Sequence, residues 1–391
     1  PAGTLFRLKR REGLAAWQPP YTGAKMFIGS AARPVLGDTS TRPGLLLPSM
    51  TGDHVPMRGL KWFLGLLVAL ATIGALYQIV GMVLDRKQHP PIGRLIDIGG
   101  HRLHLYCIGQ GSPTVVLEAT APGWSLYWST VQPEVAQVTR VCAYDRAGLG
   151  WSERGPLPRT GRRLARELHQ LLTRGGIPGP YILVGHSLGG FVTRLYREEH
   201  PLDVVGMVLV DAGHESEMRQ AEFRSFANAG KSMLPVIRAM TMLGIPRLMA
   251  SYDQLPPLLT GQEEKVPTEI RPMLRAGWLR TGYFSTLTDE SDALIETLEQ
   301  VRHTGSLGDL PLVVVTATGP LWWPDMPGQV NPAKFRKMWL DLQQNLTTLS
   351  SNSRQVFADQ SSHFVQFDQP TLISETIRQM VIATRLAPRT K

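Results

Sequence analysis

The sequence is short of cysteine and of charge: 391 residues contain 2 Cys, and 19% of the side chains are charged. Two thiols cannot make the multi-bridge framework of a small secreted scaffold, and without a CxxC or a Cys/His cluster there is no structural zinc pattern. The 38 Gly and 30 Pro follow no period and sit beside 43% hydrophobic residues, which excludes collagen-like and wholly disordered classes. A basic body is also missing, despite a net charge of +9. Residues 1–61 hold nine Lys/Arg against three acids, whereas the other 330 residues carry 32 basic and 29 acidic side chains. A body that near neutrality offers no phosphate-tracking groove, so no nucleic-acid partner is expected. Gly148-Leu149-Gly150 is too short for a dinucleotide fingerprint, and no cofactor or metal is implied.

What is present begins with one long hydrophobic run. Residues 1–56 show no sustained apolar period and read as a disordered leader, or as the product of a mis-assigned start upstream of Met57. Residues 62–84 then give 23 positions with no charge and one amide, Gln78. As a helix they extend about 34 Å, enough to cross a bilayer. The run exceeds the usual h-region of a signal peptide and lacks a clean A-x-A site, so residues 57–87 are expected to be an uncleaved anchor. The basic residues ahead of it place the N-terminus in the cytoplasm and the remainder on the exocytoplasmic side.

From residue 89 onward strands alternate with helices. Runs 94–98 and 102–108 flank Gly99-Gly100 as a hairpin. Strands are then expected at 114–118, 141–144, 181–185, 204–210, 312–316 and 354–357. Helices are expected at 126–138, 163–173, 188–199, 334–349 and 371–384. This alternation predicts an α/β fold with a mostly parallel sheet covered on both faces, built from residues 88–212 and 309–391. Residues 213–308 break the rhythm. They carry Met218, Met233, Met240, Met242, Met249 and Met273, six of the 14 Met, and read as a helical cap.

The chemistry-bearing motif is Gly185-His186-Ser187-Leu188-Gly189-Gly190, after an apolar strand and at the start of a helix. In that context a G-x-S-x-G turn projects the serine hydroxyl from the sheet edge, with the Leu188 N–H and the helix dipole aimed where an oxyanion would form. Serine needs a base. His363 lies in a loop after the last strand and before the last helix, at the same edge as Ser187. His186 is assigned to packing, and His101 and His104 lie in the first hairpin. For the acid, Asp211 at the end of strand 204–210 leads, Asp325 is the alternative, and Asp359 is a third candidate. The loop after strand 114–118 offers a second oxyanion donor, assigned to the Ala121 N–H because Pro122 has none.

The stretches His101-Arg102-Leu103-His104-Leu105, Gly111–Glu118, Tyr144-Asp145-Arg146-Ala147-Gly148-Leu149-Gly150-Trp151-Ser152, the elbow 185–190, Leu209-Val210-Asp211-Ala212 and His363-Phe364-Val365-Gln366 resemble the α/β-hydrolase superfamily, over about residues 91–388. More narrowly they are similar to its bacterial membrane-anchored members. The resemblance implies a Ser187–His363–acid triad and an eight-stranded sheet whose second strand is antiparallel. Many members have His-Gly where this chain has Ala119-Thr120. The resemblance also places Cys107 and Cys142 in one sheet, where two buried thiols are expected rather than a disulfide. The function expected is a serine hydrolase, carboxylesterase- or lipase-like, acting on apolar acyl esters. The alternatives are a lyase, C–C hydrolase or perhydrolase with the same Ser/His pair, or a non-catalytic membrane-tethered binding module. Epoxide hydrolases and haloalkane dehalogenases would need Asp where Ser187 stands.

Overall fold

The computed structural model describes residues 57–255, 262–319 and 330–386. The leader 1–56 and the candidate acid Asp325 lie outside the described residues. Eight strands form one sheet: β1 (Arg94–Asp97), β2 (Arg102–Ile108), β3 (Thr114–Glu118), β4 (Val141–Tyr144), β5 (Tyr181–His186), β6 (Val204–Val210), β7 (Leu312–Ala317) and β8 (Ser353–Ala358). Their order is β1-β2-β4-β3-β5-β6-β7-β8. Strand β2 runs antiparallel to β1 and β4, and every other pair is parallel. The α/β expectation holds, including the antiparallel second strand.

Strand register explains why the central strands read as unbroken apolar runs. Val116, Leu183, Leu209 and Val314 face one layer, with Leu168, Leu171 and Leu172 of α3 (Gly161–Arg174) and Phe191, Val192 and Leu195 of α4 (Leu188–Glu199). Their chain neighbours Val115, Ile182, Val184, Val208, Val210, Val313 and Val315 face the other. There they meet Val135 of a short helix, α2 (Gln132–Ala136), and, near the C-terminus, Ile373, Ile377 and Val381. A sheet covered on both faces has no solvent side, so period-two alternation disappears. The helix expected at 126–138 is a 3₁₀ turn (Ser125–Trp128) followed by α2, whose first turn contains Pro133. Proline fits that position because its missing N–H is unneeded there.

Between β6 and β7 lie α5 (Ala221–Met242), α6 (Ile245–Ser251), α7 (Arg271–Trp278), α8 (Thr281–Asp292) and α9 (Leu294–Arg302). The last of these lies at the C-terminal end of the segment expected as a cap, residues 213–308. Helix α9 buries Leu298 and Val301 against α3 and α4, the helices that lie on the sheet. After β7 come α10 (Pro332–Leu346), α11 (Val365–Asp368) and α12 (Pro370–Leu386), the last of which carries Ile373, Ile377 and Val381.

The cysteines correct a second expectation. The β2–β4 register sets Cys107 directly opposite Cys142, and the two form a disulfide rather than a pair of thiols. Directly opposed antiparallel positions bring Cβ atoms within bonding reach. Ahead of the sheet, α1 (Met57–Gln88) is the one helix among the described residues long and apolar enough to cross a membrane.

Candidate active site

Parallel strands deliver their C-terminal residues to one edge, where ligands bind in open α/β sheets. At that edge β5 ends in His186 and Ser187, β6 leads into Asp211, β3 into Ala119–Ala121, and β8 into the loop bearing His363. Ser187 adopts φ 54°, ψ −119°, a conformation that costs a non-glycine residue on the order of 1 kcal/mol or more. The surroundings over-determine it: the Ser187 N–H donates to Val210 O (3.2 Å), and its carbonyl accepts from Gly190 (2.9 Å) and Gly213 (3.0 Å). The turn also needs room. A Cβ on Gly189 would lie 2.7 Å from the Glu118 carbonyl oxygen and 2.9 Å from that of Ala119, so only glycine lets α4 start against the β3 loop.

His363 Nδ1 and Asp211 Oδ2 are 2.7 Å apart, and both side chains are buried. The other carboxylate oxygen accepts from Trp339 Nε1 (2.9 Å) and the Ala317 N–H (3.0 Å). Asp211 itself has φ 39°, so Ser187 and the acid candidate both sit in left-handed backbone. Among the described residues, Asp211 is the acid candidate that meets His363.

His186 does more than pack. Its Nε2 donates to the His363 carbonyl (2.9 Å), which leaves Nδ1 to accept from Gln366 (3.2 Å) and fixes the tautomer. Burial, with the nearby His363 adding to it, pushes the pKa of His186 well below the usual histidine range, so it stays a neutral brace between elbow and His363 loop. Trp339 was not legible in the sequence, because nothing there says which face of α10 meets the site. The pair His104–Asp145, 3.0 Å apart and fully buried, lies away from this chemistry. The Gly93 N–H donates to His104 Nε2, which leaves the ring proton on Nδ1, the nitrogen that faces Asp145.

Under the β3 loop lies a charge cluster the sequence did not reveal. The buried guanidinium of Arg146 bonds Glu118 (2.8 Å) and Glu290 (2.8 and 3.1 Å), and Tyr144 OH also donates to Glu118. The same guanidinium takes the carbonyls of Ala119 (2.8 Å), Thr120 (2.9 Å) and Ala121 (2.9 Å). Burial raises the pKa of Glu118 even against the opposing Arg146 charge. Burial works against the Arg146 charge too, but Glu290 and Glu118 outweigh it and raise its pKa. Because C=O and N–H point oppositely across a trans peptide, the hold on the Thr120 carbonyl turns the Ala121 N–H away from Arg146.

For a metal, His169, His200 and Asp203 are the group among the described residues whose ligand atoms converge within 4.8 Å. The two imidazoles stack 3.7 Å apart at 6°. Parallel planes share no point, so these lone pairs cannot meet on one ion in this arrangement.

Residues 113–275 match the family model for the alpha/beta hydrolase fold. An AB hydrolase superfamily protein of Gibberella zeae is 24% identical over 70% of this chain and 87% of its own length. A thermophilic esterase from Thermogutta terrifontis has a TM-score of 0.52 at 18% identity, covering 73% of this chain and 94% of that one. The epoxide hydrolase CorEH has a TM-score of 0.53 at 19% identity, covering 74% and 97%. Other curated relatives are matched only in part: the aligned regions span 18% of efuK of Hormonema carpetanum and 38% of an uncharacterized Schizosaccharomyces pombe protein. The sheet order and the matched residues give the chain the α/β-hydrolase fold.

Proposed function

We propose that the protein is a serine hydrolase of carboxylic esters with apolar acyl groups, held in a membrane by residues 62–84. Ser187 attacks the ester carbonyl while His363 takes its proton, and Asp211 holds the imidazole and stabilises its charged form. The N–H groups of Leu188 and Ala121 receive the oxyanion. His363 then protonates the leaving alcohol, and water releases the acyl group by the same route. The observation that carries this reading is the His363–Asp211 hydrogen bond at the edge where Ser187 is held in its strained turn. The aromatic cluster of Trp124, Tyr127, Trp278, Tyr283, Phe364 and Phe367 beside that edge supports apolar acyl groups. Ser187 speaks against epoxide-hydrolase chemistry, which calls for a carboxylate at that position.

The Cys107–Cys142 bond supports an exocytoplasmic catalytic domain, because disulfides persist in oxidising compartments. The test is fluorophosphonate labelling of the full chain in detergent beside Ser187→Ala, followed by a rate profile over nitrophenyl esters of increasing acyl length. Labelling lost in the variant and rates rising with chain length are the expected result. A folded protein that takes no label would overturn the mechanism and favour a binding role.

A further inference from the structure

Helix α1 does not stand clear of the rest of the molecule. Gly74, Gln78, Met82 and Asp85 recur at about one turn and so share a face, and that face is docked on the cap. Gln78, 1% exposed in the middle of an otherwise uncharged run, donates through Nε2 to the Leu279 carbonyl (2.6 Å) and accepts from Arg247 Nε (3.1 Å). Arg247 also pairs with Asp85 (2.6 Å), and Trp151 Nε1 donates to the His89 carbonyl (2.9 Å) just past the helix. At Gly74 the approach is backbone to backbone: a Cβ there would lie 2.4 Å from the Leu243 carbonyl oxygen.

The geometry has a consequence for the cap. From Gly74 to Asp85 the docked stripe covers about 16 Å of helix axis. The apolar run of about 34 Å exceeds a hydrocarbon core of about 30 Å by only two or three residues. If α1 crosses the bilayer, Gly74 and Gln78 are within the hydrocarbon, and whatever is docked beside them is there too. Beside them the junction of α5 and α6, bent by 73°, presents apolar side chains outward. Val236 (61%), Met242 (53%), Leu243 (40%) and Leu248 (52%) are exposed, as are the α1 residues next to this surface. Arg247 is turned inward onto α1, and Arg238 is the one exposed charge between Met233 and Leu248, with a stem long enough to reach headgroups.

We propose that the α5–α6 elbow of the cap is seated in the lipid hydrocarbon beside α1, so that the partner of this apolar surface is the bilayer itself. The inference rests on the membrane-anchor reading of residues 62–84. The other end of α5 approaches the candidate active site, where Phe223 and Phe226 pack on Phe335 and Trp339. The immersed elbow is thus the length of α5 away from the Asp211–His363 pair.

The test uses the full chain in phosphatidylcholine vesicles, with an environment-sensitive fluorophore on single added cysteines: Leu67→Cys in the anchor, Val236→Cys and Leu248→Cys on the elbow, and Leu202→Cys on the core surface. The native cysteines are joined to each other and leave the label to the added one. Quenching by brominated lipid is compared with quenching by aqueous iodide. Expected is loss of emission to brominated lipid at 67, 236 and 248, with Leu202→Cys quenched by iodide alone. Lipid quenching at 67 with iodide quenching at 236 and 248 keeps the anchor and overturns the immersed elbow. Positions 236 and 248 shielded from both quenchers would assign the surface to a second copy of the chain and also overturn it. No lipid quenching at 67 removes the anchor reading and the inference with it.

Discussion

Trp339 and His363 share the carboxylate of Asp211, one on each oxygen: Trp339 Nε1 at 2.9 Å from Oδ1 and His363 Nδ1 at 2.7 Å from Oδ2. With the Ala317 N–H also on Oδ1, the carboxylate accepts three hydrogen bonds and donates none. Asp211→Asn keeps the shape but replaces one acceptor oxygen with an NH₂, which must face a donor whichever way it turns. Ester hydrolysis is expected to fall about 10³- to 10⁴-fold with little loss of fold, as read by kcat on a nitrophenyl ester and by circular dichroism. Trp339→Phe removes one of the three donors and is expected to cost about tenfold, near the 1–1.5 kcal/mol of one hydrogen bond. Equal activity in wild type and Asp211→Asn would remove Asp211 from the mechanism.

Arg146 gives a sharper stability prediction. Its guanidinium is buried with two glutamates, and removing it leaves both with no cation and three carbonyls with fewer donors. Arg146→Met is expected to cost about 3–5 kcal/mol, measured by guanidinium chloride unfolding of the full chain in detergent. Adding Glu118→Gln and Glu290→Gln to that variant should recover part of the loss, because the stranded charges are gone. If the triple variant is no more stable than Arg146→Met, the penalty is one of packing instead.

The sequence made the central strands legible because strands buried on both faces are plain apolar runs, and the Ser187 turn because it adjoins one; His363 was picked out by its place in the loop between the last strand and the last helix. The partners of Arg146 were hidden. Glu118 closes an apolar strand and Glu290 lies 172 residues further on in a cap helix, and no local pattern ties them together. The disulfide was hidden for a related reason. Cys107 and Cys142 are 35 residues apart, and only the β2–β4 register sets them opposite each other. Trp339 and the hydrogen-bonding role of His186 depend on side-chain directions that a motif does not carry. Between β6 and β7, helical pattern alone did not separate α9, which packs on α3 and α4, from α5–α8.

Closing a loop of 35 residues, the Cys107–Cys142 bond is expected to contribute about 3–4 kcal/mol, mainly by restricting the unfolded chain. Cys107→Ser combined with Cys142→Ser should lower the unfolding midpoint by that equivalent and leave kcat nearly unchanged, since the pair sits level with Leu183, four residues short of Ser187, on strands two and three removed from β5. Wild-type protein treated with reductant under partly unfolding conditions should move to the same midpoint. A midpoint unmoved in both experiments would mean that the bond is not formed in the folded protein.

Glu217 should give the protein a stability that declines with pH. Its carboxyl is buried next to Glu215, and burial pushes its pKa up to about 8, while the unfolded chain titrates near the ordinary 4.5. Between these values the folded state keeps a proton that the unfolded state has released. More protons bound in the native state means that unfolding becomes easier as pH rises: the penalty is absent below about pH 4.5, grows through neutrality and levels off above about pH 8. Glu217→Gln imitates the protonated acid, keeping an oxygen for the His214 N–H that Glu217 accepts at 3.2 Å. The variant is therefore expected to match wild type at pH 5 and to exceed it at pH 8 by a few kcal/mol, as read from unfolding midpoints across that range. Curves that stay parallel would mean that Glu217 ionises in the folded protein as readily as in the unfolded chain.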